Sequence, residues 1–178
     1  MELFRPVPPL HPGVRSAFTS YYLPVCQTQG AGAAPMVAGT IYYCLFYLPQ
    51  IIVDRVSVQV SAFATGNARF AAYRNENGMP TSLISDFGTV DTNSNAVREV
   101  SFTALALPDA YFWAAVVFDA TPTVLIGAQA NHHLLGAGAI NAAHRGLLAA
   151  SSYGAFPTTA VAPTGFTTNC PLIAFRRS

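Results

Sequence analysis

The chain has 178 residues, of which 52% are hydrophobic and only 10% are charged, against roughly 25% charged in an average soluble domain. Nine arginines face eight carboxylates, there is no lysine, and the net charge is +1. This excludes a disordered chain, which needs high charge and low hydrophobicity, and a nucleic-acid binder held by a basic field, since no excess cation remains to neutralise phosphates. The length corresponds to a single domain.

Residues 1–24 carry Pro6, Pro8, Pro9, Pro12 and Pro24. Proline fixes φ and pushes its predecessor into an extended conformation, so no helix of any length is expected here. Phe4, Arg5, Arg15, Phe18, Tyr21 and Tyr22 stand among these prolines. Large aromatics are unusual in a frayed terminus. Residues 1–38 are therefore expected to form an extended arm, lying across a neighbouring subunit with its aromatics as anchors. No compact apolar core before a cleavage site marks a secretory signal.

A β-sandwich domain is expected over residues 39–178. Residues 40–48 read as a strand from their aromatic and β-branched content. In residues 55–61, Val56, Val58 and Val60 alternate with Ser57, Gln59 and Ser61, the period of a half-buried strand. Residues 68–74 give the next strand, and Asn75-Glu76-Asn77-Gly78 is turn chemistry because Asn and Gly tolerate positive φ. Leu83 and Ile84 begin a short strand that the polar segment 86–95 is expected to close. Residues 97–105 alternate again, and Pro108-Asp109 turns the chain. Residues 111–118 are nearly all apolar, which predicts a central strand buried on both faces. Residues 123–126 and 172–176 add two more. About eight short strands with Gly, Pro and Asn turns predict an all-β antiparallel β-sandwich, of jelly-roll type.

Residues 131–165 are small and uncharged apart from Arg145. A short helix is expected over 140–150, weakened by Gly146. The rest is expected to be a long loop packed on a partner, with His132, His133, Arg145 and Tyr153 as contacts. The uncharged stretches 25–53 and 121–143 are broken by proline and polar residues. Neither supplies the roughly 20 consecutive apolar residues of a spanning helix, so no membrane contact is expected.

Motifs that carry chemistry are missing: no G-x-S-x-G elbow, P-loop, H-E-x-x-H or G-x-G-x-x-G occurs, and no enzyme is expected. Asp86-Phe87-Gly88 matches a kinase triplet, but a chain without lysine lacks the kinase's strand lysine. His132 and His133 would point to opposite faces of a strand and share no metal. Asp91-x-Asn93-x-Asn95 starts like a calcium loop, yet Ala96 and Phe102 occupy the positions that need glycine and glutamate. A calcium ion held by Asp86, Asp91 and Asn93 competes there with Asx-turns, in which side chains bond their own backbone. Cys26, Cys44 and Cys170 are widely spaced, and their odd number argues for buried apolar thiols in a reducing cell over a disulfide framework. No cofactor is expected.

One ordered set of residues carries a likeness. Arg69-Phe-Ala-Ala-Tyr73, Asn77-Gly78-Met-Pro80-Thr-Ser-Leu83, Asp86-Phe-Gly88-Thr-Val-Asp91-Thr, Leu107-Pro108 and Tyr111-Phe-Trp113-Ala-Ala together resemble a β-sandwich module of tailed bacteriophage virion proteins. Such modules occur in capsid decoration or cement proteins, head fibres and tail fibres, and the likeness covers roughly residues 50–128. The resemblance implies a virion structural protein without catalytic residues. It would sit on the capsid surface as a homo-oligomer, often a trimer, and clamp major capsid proteins or other virion proteins. The alternative is a carbohydrate- or receptor-binding module of a head or tail fibre, with exposed aromatics beside polar loop residues such as Tyr73, Arg74 and Asn75.

Overall fold

A computed structural model describes residues 21–24, 27–28, 32–48, 51–108, 110–129 and 144–178. Within them the chain forms strands and no helix. The strands are β1 (Tyr21–Tyr22), β2 (Gln27–Thr28), β3 (Ala33–Pro35), β4 (Thr40–Leu48), β5 (Ile52–Ala62), β6 (Asn67–Glu76), β7 (Met79–Asp91), β8 (Val97–Ala106), β9 (Ala110–Phe118), β10 (Thr123–Leu125), β11 (Ala128–Gln129), β12 (Gly146–Ala150), β13 (Gly165–Thr167) and β14 (Ala174–Arg177). None of the described segments is a helix long and apolar enough to cross a membrane.

The pairing is nested. At its centre Asn77 (φ 53°) and Gly78 (φ 81°) both adopt left-handed backbone, the two-residue turn whose twist matches antiparallel strands. Around that turn β6 pairs with β7, β5 with β8, β4 with β9, β3 with β10 and β2 with β11. One long hairpin is thus rolled up on itself. Its strands fall into two sheets, β3-β10-β5-β8 in sheet I and β4-β9-β6-β7 in sheet II. This is the eight-strand jelly roll expected from the spacing. Strands outside the roll extend it: β14 and then β1 join sheet I beside β5, and β12 and then β13 join sheet II beside β4.

Alternation along β4 divides its side chains between two cores. Tyr42, Cys44, Phe46 and Leu48 face sheet I, as Phe112 of β9 does, and Phe175, Val56, Val58 and Val60 of sheet I meet them. Ile41, Tyr43 and Leu45 face the other way, with Tyr73, Trp113, Ala115 and Val117. This second layer is closed by the chain itself. Tyr153, Phe156, Ala160 and Val161 pack over it, and backbone bonds Leu83 N–H to Thr158 O (2.8 Å) and Ala160 N–H to Thr81 O (2.6 Å) fix the segment along β7. That cover explains why β9 is apolar on both faces, as its sequence predicts.

Three expectations are corrected. The strand starting before Leu83 does not end at the polar residues; β7 runs on to Asp91, because a bulge absorbs Asp86-Phe87-Gly88. Gly88 takes φ 92° there, and the extra residue sends Phe87 into the core against Phe102 and Phe175. The helix expected over 140–150 is, in its described part, strand β12, paired with β4 and β13. Alanine's helix propensity is overridden by burial of Leu147 and Ala149 in the second core. The boundary at residue 38 falls inside the sandwich: β1 and β3, from the expected arm, are strands of sheet I. Their backbone groups find partners in β14 and β10.

Candidate interaction surface

The expected arm meets the domain at β1. Tyr22 packs against the main core. Tyr21 is 46% exposed, and its hydroxyl donates to Glu99 Oε2 at 2.7 Å. Arg55 Nη1 donates to the other oxygen of Glu99 at 2.5 Å. Beside them a bulge at Asp54 breaks the alternation of β5, so that Asp54 and Arg55 both leave the core. Asp54 accepts from Nε and Nη2 of Arg176 at 3.2 and 2.9 Å. A charged ladder therefore crosses β1, β14, β5 and β8 on the outer face of sheet I.

The ladder sets the titration of its acids. The hydrogen bond from Arg176 holds the Asp54 carboxyl below its ordinary value. Burial pulls Glu99 upward, but hydrogen bonds from Tyr21 and Arg55, with the arginine charges, outweigh it and leave Glu99 lowered. The same hydrogen bond to Glu99, together with burial, raises the Tyr21 phenol. Lowered folded-state values mean that both carboxylates contribute stability above their unfolded pKa, and that this contribution is lost as pH falls through the folded value. The urea midpoint should therefore drop on acidification below about pH 4, the ordinary carboxylate range. Asp54→Asn with Glu99→Gln should flatten that acid limb while leaving the slope above pH 6 unchanged.

Two further ion pairs occur among the described residues, Arg69–Asp86 and Arg98–Asp91. Both acids also form Asx-turns: Asp86 Oδ1 accepts Gly88 N–H at 3.0 Å and Asp91 Oδ1 accepts Asn93 N–H at 3.1 Å. Asn93 and Asn95 turn their oxygens to the backbone N–H groups of Gly66 and Phe63. The oxygens considered for calcium are thus bonded to arginines and backbone, and the two carboxylates answer to different arginines. Among the described residues no three His, Cys, Asp or Glu side chains converge as metal ligands would.

Asp86 has a structural task that the sequence did not signal. Besides Arg69 and Gly88, it accepts Phe156 N–H at 3.1 Å, which pins the covering segment to β7. Asp86→Ala should cost about 2 kcal/mol, since an arginine and two amides lose their acceptor in a partly buried site. Hydrogen exchange should speed up across residues 151–164 and stay unchanged in β5 and β8.

The fibre-type alternative placed Tyr73 among exposed aromatics. This is corrected: Tyr73 is fully buried, its hydroxyl donates to Pro157 O at 2.8 Å, and burial drives its phenol far up. Arg74 is exposed, and Asn75 accepts the indole N–H of Trp113 at 2.9 Å. Tyr153 and Arg145, expected to touch a partner, are only partly exposed; Tyr153 packs on the chain's own second core. Of the expected loop, residues 146–150 are β12 and the segment after it covers sheet II. Phe4, Arg5, Arg15, Phe18, His132 and His133 lie outside the described residues.

Apart from Tyr21, the exposed large apolar side chains were not expected on the surface from the sequence. Ile52, Met79 and Tyr111 stand at the end of the sandwich that carries the β6–β7 turn, and Val37, Phe63 and Val97 at the opposite end. Tyr111 is 40% exposed and its ring lies 5.0 Å from that of Tyr47. Phe166 is on β13, stacked with His144 at 4.3 Å. No protein-family model matches the chain, nor does any curated protein or solved structure.

Proposed function

We propose that this chain is a non-enzymatic structural protein of a virion, a capsid decoration or cement protein that assembles as a homotrimer and clamps neighbouring major capsid proteins. The observation that carries the reading is the fate of its charge. The four ion pairs of the described residues occupy Arg55, Arg69, Arg98 and Arg176 within the fold, while large apolar side chains stand at both ends of the sandwich. Such a surface suits burial by other protein at both ends. Most residues of the phage-like resemblance fall on one unit, β6, β7 and β9 with the turn between β6 and β7, in which Tyr73 lies opposite Trp113 and Arg69 reaches Asp86; Leu107 and Pro108 lie between β8 and β9. Jelly rolls serve both capsid and lectin roles, so the fold favours neither by itself.

Light scattering of the purified protein should give three times the chain mass; a monomer at 100 μM or above would sink the trimer. Deleting residues 1–20 should keep the circular dichroism spectrum and the unfolding midpoint while abolishing attachment to capsids. Normal decoration by the truncated chain would remove the arm from the proposal. A glycan array with specific binders and no capsid attachment would favour the fibre-type alternative.

A further inference from the structure

The geometry points to a disulfide between Cys44 and Cys170, a covalent tie between sheet II and the crossover into sheet I. Cys44 lies on the inner face of β4, and Cys170 lies in the segment between β13 and β14. The residues are 126 apart in sequence, yet their sulfurs are 2.6 Å apart. That is closer than non-bonded sulfurs rest, and about half an ångström from the bonded distance of about 2.05 Å. Both residues are fully buried. Their backbones are fixed independently of each other. Cys44 pairs with Ala114 in the β4–β9 ladder. Cys170 is followed by the Ile126–Pro171 bridge and by Leu172 N–H donating to Leu125 O at 2.9 Å. Gly146 supplies the room: a Cβ there would lie 2.5 Å from Cys170 Sγ.

The bond forms by exchange with a low-molecular-weight disulfide such as oxidised glutathione. One cysteine thiolate attacks a sulfur of that disulfide and expels one small thiolate. The second cysteine thiolate then attacks the mixed disulfide and expels the other. Two protein thiols become one disulfide, and the two hydrogens leave on two small thiols. Burial requires the exchange to precede closure of the sandwich or to use an opened state, and it then shields the bond from reductants. Cys26 keeps its thiol.

The full chain is refolded with oxidised glutathione, blocked with N-ethylmaleimide in denaturant without reductant, digested and weighed. The expected product is one linked pair of peptides holding Cys44 and Cys170, lighter by two hydrogens than the separate thiols, with Cys26 alkylated. Complete alkylation of Cys44 and Cys170, or a bond that uses Cys26, would overturn the assignment. Reduction of the linked protein should lower its thermal midpoint by on the order of 10 °C, and an unchanged midpoint would overturn the bond's role as a tie. The Cys44→Ala, Cys170→Ala double variant should show no response to the oxidant. The peptide masses of the unaltered chain decide the matter even where that variant does not fold.

Discussion

Trp113→Ala is expected to lower stability by about 3–5 kcal/mol, a large part of the roughly 5–15 kcal/mol available to a domain. Trp113 is the chain's only tryptophan and is fully buried. It stands on β9 with Leu45 and Tyr73 as its cross-strand neighbours. Its loss leaves a cavity in the second core and removes the donor to Asn75 Oδ1. Urea unfolding followed by circular dichroism should show a lower midpoint with the slope retained. Trp113→Phe separates the two contributions. It keeps most of the ring and loses only the N–H, so about 1–2 kcal/mol is expected. Equal losses for the two variants would mean that the hydrogen bond, not the packing, holds this face.

Gly146→Ala is the second large effect, at about 3 kcal/mol or more. A Cβ at Gly146 would run into Tyr43 O and Cys170 Sγ. The first is a backbone atom of β4, the strand against which β12 pairs from Leu147 onward, so it cannot move aside as a flexible side chain would. Overpacking of an ordinary core site costs about 1–3 kcal/mol, and a backbone collision at a paired strand lies above that range. The midpoint in urea measures it. Gly154→Ala is the control: nothing stands within 4 Å of the added carbon, and its midpoint should stay within about 0.5 kcal/mol of the parent chain.

The legible parts of the fold are those whose signal is local. Thr40–Leu48 is strand because aromatic and β-branched residues fill it. From Phe112 to Phe118 the strand is buried on both faces because neither phase of its alternation is polar, while Tyr111 at its start stays exposed. The Asn77–Gly78 turn is visible because only such residues accept two left-handed conformations in a row. What stayed hidden depends on distant chain. Ala149 and Ala150 carry helix propensity, and only the β4 edge makes them strand. Tyr73 alternates like an exposed aromatic until residues 153–161 are laid over it. Asp86 reads as the end of a strand until Arg69 and Phe156 come to it from two sides. Cys44 and Cys170 look unrelated because nothing local records a separation of 126 residues.

Of the expected contact residues, only Tyr21, Tyr22, Arg145 and Tyr153 fall within the described structure. Tyr21 and Tyr22 prove to be parts of sheet I. The sequence drew attention to the uncharged flanks, and in their described parts the lack of charge serves the chain's own cores: Tyr22, Ala34 and Met36 the main one, Leu147, Ala149 and Phe156 the second. The apolar side chains at the sandwich ends were not legible, because a strand's length decides whether its last residue is covered.

The nested pairing has a temporal consequence. Each pair outward from the Asn77–Gly78 turn closes a longer stretch of chain, so the roll can grow from its tip as synthesis proceeds. β14 stands outside that order. It is inserted between β1 and β5, and just beyond it the amide of Ser178 bonds to Ile52 O at 3.0 Å. The ledge on which Tyr21 and Tyr22 rest is therefore made by Phe175 and Arg176, residues synthesised long after them. A chain that lacks β14 keeps its eight-strand roll and loses the pairing partner of Tyr21 and Tyr22. Under the proposed assembly role, attachment through β1 would wait until β14 has docked, a checkpoint on folding that needs no enzyme.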